Sequence, residues 1–405
     1  MTNFPISHES PPGSTHRVSG KRIVVLSNVF DQQYHDRRGE PIERCLGSKR
    51  GVLFRCLELA TGRPLILLSS PPKAVERRHP RWLSPLRTQY STYDQFFCAN
   101  WDAPKVRVPL SWFFYTMHVL RNTRSGDLVF IDNFEFIYVF AAYWLRLFKR
   151  VSFVLDYEDG KHLIDRSWMG VLSSIAEFLG RRLLSAAVLA NSDMGRRLPG
   201  SIPTALVPGF IVPVHTHAPW RPGEPVRFVY SGSLDRTRGV DLLLESLDYL
   251  PATGWRLDIS GAGPLNEKVA SAAAQGRWSN NVEFHGSMKP QAYAELLQSC
   301  HVGLNCQRTS DPISEVTFPS KVFTYLNAGL LVLSSTASEV KQVCGDACSY
   351  YESETARDLA AAIITVLNNF GALYQSRDVS NVSECYSVEG TTERLRGLLE
   401  SVRLI

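Results

Sequence analysis

The sequence has no run of about 20 consecutive apolar residues, the length a membrane-spanning helix requires. Its longest such run, Phe136-Ile-Tyr-Val-Phe-Ala-Ala-Tyr-Trp-Leu145, stops at Arg146, so no segment is expected to cross a membrane. CxxC pairs are missing among the eight cysteines. A chain of 405 residues does not need disulfides to hold its core, and a reducing cytoplasm is the expected setting. The first twenty residues lack an apolar core and are rich in Ser, Pro, Gly and His. They read as a loose tail and not as a secretory signal peptide. Compositional extremes are absent too. With 44% hydrophobic and 20% charged residues, neither a disordered nor a fibrous class is indicated.

What is present is size, an uneven charge distribution and a repeated pattern. The length suits about two domains. Residues 1–212 hold 28 Lys and Arg against 18 Asp and Glu, and the remainder holds 16 against 21. The first part is therefore the one expected to meet an anionic partner. Short aliphatic runs such as Arg22-Ile-Val-Val-Leu-Ser27, Asp127-Leu-Val-Phe-Ile-Asp132 and Val151-Ser-Phe-Val-Leu155 alternate with helical patterns. Near-continuous apolar strands separated by helices indicate parallel sheets covered on both faces. After a Pro-rich stretch at 212–224 the pattern restarts with Val226-Arg-Phe-Val-Tyr230 and Trp255-Arg-Leu-Asp-Ile259. Helices are expected at about 240–249, 264–274, 290–299, 319–328 and 355–368. The expected organisation is a tail over 1–20, a first α/β domain over 21–212, a linker over 213–224 and a second α/β domain over 225–405. The last helix is allowed to return to the first domain.

Three loops of the second domain follow strands directly. Tyr230-Ser-Gly-Ser-Leu-Asp-Arg-Thr-Arg-Gly239 combines small residues with two arginines, so its amides and Arg238 suit a diphosphate. A turn with a solvated basic edge is the alternative. Ser260-Gly-Ala-Gly-Pro264 is a fragment of a dinucleotide fingerprint. Without its third glycine and distal acid it reads better as a plain strand-to-helix turn. Phe318-Pro-Ser-Lys321 opens a helix that closes at Gly329. Free amides at such a start face an anion, or simply solvent.

In their order, these motifs resemble the donor domain of the family 4 retaining glycosyltransferases, the glycosyl transferases group 1. Val282-Glu-Phe-His-Gly286 lies between the second and third. The resemblance extends to Val188-Leu-Ala-Asn-Ser192 and Leu206-Val-Pro-Gly209. It covers residues 186–370 well, and 21–185 in architecture alone. It implies a GT-B fold: two Rossmann-like doubly wound domains facing across a cleft, the second holding a nucleoside diphosphate sugar as co-substrate and the first an acceptor. It implies no resident cofactor and no divalent metal on the diphosphate. The absence of any Asp-x-Asp or His/Cys ligand cluster agrees.

Carried over residue by residue, the donor site comprises Gly232, Ser233, Arg238, Gly239, Gly261, Gly263, Glu315, Phe318, Pro319, Ser320, Lys321 and Thr324. Arg238 stands where the family places a lysine on the diphosphate, and Ser233 where many members have a second arginine. The family also spaces two glutamates eight apart. Here the second position is Thr324, and the first is Val316 with Glu315 one residue earlier. A threonine offers one hydroxyl where a carboxylate accepts two charge-assisted bonds from a ribose diol. On the acceptor side, Glu158 and Asp159 match in place a segment that carries a His-Asp pair near the sugar, and they are the candidate catalytic residues. A solvated acidic turn is the alternative. The nearest match to the family's glycine-rich loop is Gly47-Ser48.

Lys73 to Arg87 and the run Trp112-Phe-Phe-Tyr-Thr-Met117 put basic residues beside aromatics, which suits an anionic membrane surface or a lipid diphosphate. Core aromatics and solvated arginines are the other reading. No nucleic-acid module is visible. The expectation is a cytoplasmic glycosyltransferase, with contact to the inner membrane face left open, acting on a glycan or lipid-linked acceptor in polysaccharide biosynthesis. A noncatalytic GT-B binding protein and a GT-B sugar-nucleotide epimerase are the alternatives.

Overall fold

The computed structural model describes residues 21–29, 34, 37, 47–71, 81–90, 93–102, 106–160, 163–165, 167–212, 220–275 and 277–405. The tail at 1–20, the linker residues 213–219 and most of the basic stretch from Lys73 lie outside this set. By contact density the described chain divides into two units. One runs to Pro208 and takes in Val388–Ile405, and the other is Gly209–Ser387. They are called the N unit and the C unit.

The N unit opens with β1 (Ile23–Leu26), α1 (Gly47–Thr61) and β2 (Leu65–Ser69). The ribbon strands β3 (Arg81–Leu83) and β6 (Asn100–Asp102) enclose β4 (Leu86–Gln89) and β5 (Tyr93–Phe97). Next come α2 (Arg107–Asn122), β7 (Leu128–Asp132), α3 (Phe136–Phe148), β8 (Ser152–Tyr157), α4 (Trp168–Gly180), β9 (Leu184–Leu189) and β10 (Thr204–Leu206). Eight strands form one sheet in the order β10-β9-β8-β7-β1-β2-β5-β4. All neighbours are parallel except β4, which runs against β5 at the edge. Ile23-Val-Val-Leu26 and Leu128-Val-Phe-Ile-Asp132 are buried at every position, as strands between two helical layers must be. The segment 81–102 was not legible as strands. Its edge strand Leu86–Gln89 exposes Arg87 and Gln89 and has no apolar run.

The C unit holds β11 (Val226–Ser233), α5 (Val240–Ser246), β12 (Trp255–Ala262), α6 (Asn266–Ala274), β13 (Val282–Gly286), α7 (Pro290–Ser299) and β14 (Val302–Asn305). These are followed by α8 (Ile313–Val316), α9 (Lys321–Asn327), β15 (Leu331–Ser335), α10 (Val340–Cys344), β16 (Cys348–Tyr351), α11 (Ala356–Ser376) and α12 (Ser380–Tyr386). Its six strands are all parallel, in the order β13-β12-β11-β14-β15-β16. Helix α11 runs on past the expected end at 368, with a kink at Asn369, because Phe370 continues its buried stripe against Trp220 and His301.

The chain ends in α13 (Val388–Ser401), which packs on α1 of the N unit. Arg396 donates to the Leu59 carbonyl at 3.1 Å, Arg63 to that of Leu404 at 2.8 Å, and Arg394 to that of Leu206 at 2.8 Å.

Candidate functional site

In an open parallel sheet, ligands bind beyond the carboxyl ends of the strands where the winding reverses. The two strand orders place those points between β11 and β14 in the C unit and between β1 and β7 in the N unit. Each has a cluster of polar side chains.

In the C unit, β11 ends in Gly232 and Ser233, and β14 leads into Cys306 and Gln307. Gly239, at φ +71, sits so close to the next loop that a Cβ there would lie 1.9 Å from the Cys306 carbonyl oxygen. Gly261, at φ +144, lies against β11, and a Cβ would come within 1.8 Å of the Gly232 oxygen. Gly263 is likewise pressed on the Leu234 backbone. The glycines of the second loop are thus required for strand packing. Asp235 organises the first loop: it accepts from the Ser233 hydroxyl at 2.5 Å, from Thr237 at 2.7 Å and from the Arg238 amide at 2.8 Å. Burial pushes its carboxyl up, but these bonds outweigh it and hold it below its ordinary value.

Arg236 and Arg308 both pair with Asp241, at 3.1 and 3.0 Å. The Arg238 guanidinium instead donates to the side-chain oxygen of Gln307, a neutral partner. Gln307 is fully buried and is fixed by bonds to Ser314 and Ser338 at 3.1 and 2.8 Å. Lys321, from the start of α9, brings its Nζ 3.9 Å from the centroid of the Tyr230 ring and alongside Gly232. That ammonium nitrogen is buried with no hydrogen-bond partner. Burial first, and the neighbouring Arg238 second, push its pKa down to about 7.

At the start of α9, Ser320 stands at the N-cap position with helical angles, and its hydroxyl makes no capping bond. Phe318 is buried and packs on Phe323, and Pro319 is buried beside it. Thr324 turns its hydroxyl back to the Ser320 carbonyl at 3.3 Å. Glu315 is exposed on the short helix α8.

In the N unit the corresponding point is closed by ion pairs. Arg50 from α1 binds Asp132 at the end of β7 at 2.7 Å, with both side chains 8% exposed. The Ser27 hydroxyl donates to Asp132 at 2.5 Å, and Arg50 donates to the Asn28 carbonyl at 3.1 Å. Lys49 pairs with Glu158 at 3.0 Å. Asn133, with φ +52, holds the Glu158 and Asp159 amides on its side-chain oxygen at 2.8 and 2.9 Å. Burial raises Glu158, but Lys49 and Arg50 outweigh it and bring the group below its usual range. Burial, with Glu158 and Asp132 nearby, lifts Asp156 well above the carboxylate range. Gly47 and Ser48 open α1, and the Ser48 side chain lies outside the described residues.

Sequence reading missed Gln307, Tyr230, Asp132, Asp156, Lys49, Arg50 and Asn133. Of these, Asn133 and Gln307 follow strand ends by one and two positions, Asp132, Asp156 and Tyr230 lie within strands, and Lys49 and Arg50 lie on α1. Among described residues, Asp258, Glu283 and His285 are close enough to share a metal ion. However, the imidazole sits between the two carboxylates, Nε2 2.8 Å from Asp258 and Nδ1 3.7 Å from Glu283, and Arg227 takes the other Asp258 oxygen. The imidazole is thus hydrogen-bonded to Asp258 alone, and Asp258 is already paired with Arg227.

Residues 225–369 match the family described as "Glycosyl transferases group 1". Over that stretch, which takes in all six strands of the C unit, the chain is similar to the group 1 glycosyltransferases. No curated protein matches the chain in sequence. Solved structures do match in fold. Sucrose-phosphate synthase from Thermosynechococcus elongatus superposes with a TM-score of 0.66 at 12% identity, covering 95% of this chain and 99% of that one. Anabaena HepE in complex with UDP gives 0.61 at 13%, covering 94% and 100%. The catalytic domain of starch synthase IV from Arabidopsis thaliana, bound to ADP and acarbose, gives 0.64 at 8%, covering 95% and 99%. At such identities the likeness establishes the fold, which is GT-B with two Rossmann-like units. The likeness in fold extends over nearly the whole length of the chain.

Proposed function

We propose that the chain transfers a sugar from a nucleoside diphosphate sugar to a glycan or lipid-linked acceptor, in cytoplasmic polysaccharide biosynthesis, with retention of anomeric configuration. The observation that carries the donor half is Lys321. A buried ammonium with no hydrogen bond, beside a guanidinium that donates to a neutral amide oxygen, is unfavourable until an anion arrives. A diphosphate between the two supplies the missing charge, and the Gly232 turn leaves its backbone open to that space. The same cations stabilise the leaving diphosphate as charge develops on it, and no divalent metal is needed for that step. Neighbours in fold are complexed with UDP in one case and ADP in another, so the nucleobase is left open.

Glu158 and Asp159 are assigned to the acceptor or sugar side, with Lys49 keeping Glu158 ionised. Thr324 favours a second reading, a noncatalytic nucleotide- or glycan-binding protein, because its hydroxyl is spent on its own helix. Calorimetry with UDP and ADP, followed by a mass-spectrometric screen of donor sugars with and without acceptor, separates the readings. Transfer products support the enzyme. Donor conversion without acceptor identifies an epimerase, and nucleotide binding without turnover a binding protein. Arg238→Ala is expected to weaken nucleotide binding at least tenfold while the melting temperature stays put, and unchanged affinity removes Arg238 from the site.

A further inference from the structure

Helix α4 is built inside out. Its buried residues are Gly170, Ser173, Ala176, Glu177 and Gly180, mostly small. The backbone is pressed so closely on the unit that a Cβ at Gly180 would come within 3.0 Å of the Phe134 ring. The large apolar residues therefore face out: Trp168 is 59% exposed, Val171 56%, Ile175 44% and Phe178 51%. These recur at helical spacing and form one stripe. Glu177, the helix's one charged residue, is turned inward to Arg197 at 2.8 Å. The neighbouring α3 continues the surface. Tyr143 donates to the Leu179 carbonyl at 2.9 Å, and Trp144, Leu147 and Phe148 are exposed, the last two at 70% and 61%. Soluble proteins rarely expose contiguous apolar patches beyond a few hundred Å² without a use.

The charges around the stripe select the partner. Both helices connect parallel strands, β7 to β8 and β8 to β9, so they run in the same direction and bring their C-terminal ends together. Arg146, Lys149 and Arg150 end α3, and Arg181 and Arg182 end α4. The last two guanidinium groups lie 5.0 and 4.2 Å from the Phe178 ring centroid. Neither helix presents an acidic side chain outward. The exposed acids nearest the stripe, Glu135 and Asp165, lie at the N-terminal ends of the two helices, so exposed aromatics and aliphatics with cations gathered at the shared C-terminal ends match the acyl boundary and anionic headgroups of a bilayer.

We infer that the α3–α4 face of the N unit docks on an anionic lipid surface. This inference stands on the N unit alone, so it is tested without nucleotide. The full chain is sedimented with vesicles of phosphatidylcholine, or of an equal mixture with phosphatidylglycerol. Binding is expected to the anionic vesicles, at least tenfold stronger than to neutral ones, and lost at about 0.5 M salt. Ile175→Ser with Phe178→Ser should lower the partition at least tenfold while the melting temperature and UDP affinity are kept. Arg181→Glu with Arg182→Glu should abolish the preference for anionic vesicles, without altering packing beneath the helix. Absence of vesicle binding overturns the inference. So does a lipid-free dimer, seen by light scattering, that the serine pair converts to a monomer.

Discussion

The two strand-end clusters occupy equivalent points of two similar sheets, yet they handle charge in opposite ways. In the N unit, among the described residues, buried Arg50 faces Asp132 and half-buried Lys49 faces Glu158. In the C unit the Lys321 nitrogen lies over the Tyr230 ring with no hydrogen bond, and the Arg238 guanidinium donates to an amide oxygen, so no carboxylate binds either one directly. A closed network stabilises the fold that contains it, whereas an incomplete one awaits a ligand. Placing the functional anion site in the C unit therefore rests on what is missing from its pairing.

The largest effect that sharpens this contrast is expected from Arg50→Met. Removing one member of a buried pair leaves Asp132 uncompensated and should cost about 3–5 kcal/mol of stability, read by denaturant unfolding. The deficit should narrow as the pH is lowered and Asp132 takes up a proton. An effect below about 1 kcal/mol would show that the pair is solvated and would remove the contrast. Lys321→Met is expected to do the reverse, weakening UDP or ADP binding by about ten- to hundredfold, as loss of a charge-assisted bond does, without lowering the melting temperature.

The pH profile comes next in size. Unliganded Lys321 titrates near 7, and a bound diphosphate raises that value. Binding then takes up a proton above pH 7, and affinity should fall as the pH is raised from 7 to 9. The folded-state pKa is depressed below the unfolded value of 10.5. The unfolded chain therefore holds more protons between about 7 and 10.5, and the unliganded protein gains stability from this group as the pH rises through that window. Both trends should vanish in Lys321→Met. The smallest effect is expected from Thr324→Glu, which restores two acceptors one turn into α9 and should tighten nucleoside diphosphate binding severalfold relative to the 2′-deoxynucleotide.

The strands were legible because parallel strands are apolar on both faces, and Ile23-Val-Val-Leu26 and Val302-Gly-Leu304 announce themselves in a single sequence. The donor loops were legible by small residues and basic side chains after a strand. Gln307 was not, because one glutamine after a cysteine has no distinguishing neighbour, and its burial depends on Ser314 and Ser338 arriving from elsewhere. Nor was the Arg50–Asp132 pair, whose partners are separated by 82 positions. Amphipathic reasoning also fails for α4. Its apolar side points outward, and only the structure shows that the glycines and alanine line the interior.

The return of α13 to α1 has a consequence for biosynthesis. The C unit is continuous from Gly209 to Ser387, whereas the N unit is interrupted by it and resumes at Val388. A ribosome therefore delivers the whole of the second unit before the final piece of the first, although domains made earlier ordinarily fold earlier. Until Leu395, Leu398 and Leu399 emerge, the face of α1 that packs on α13 lacks that helix. A nonsense codon after residue 387 would spare every residue assigned to the donor site, and its lesion would fall at the opposite end of the polypeptide.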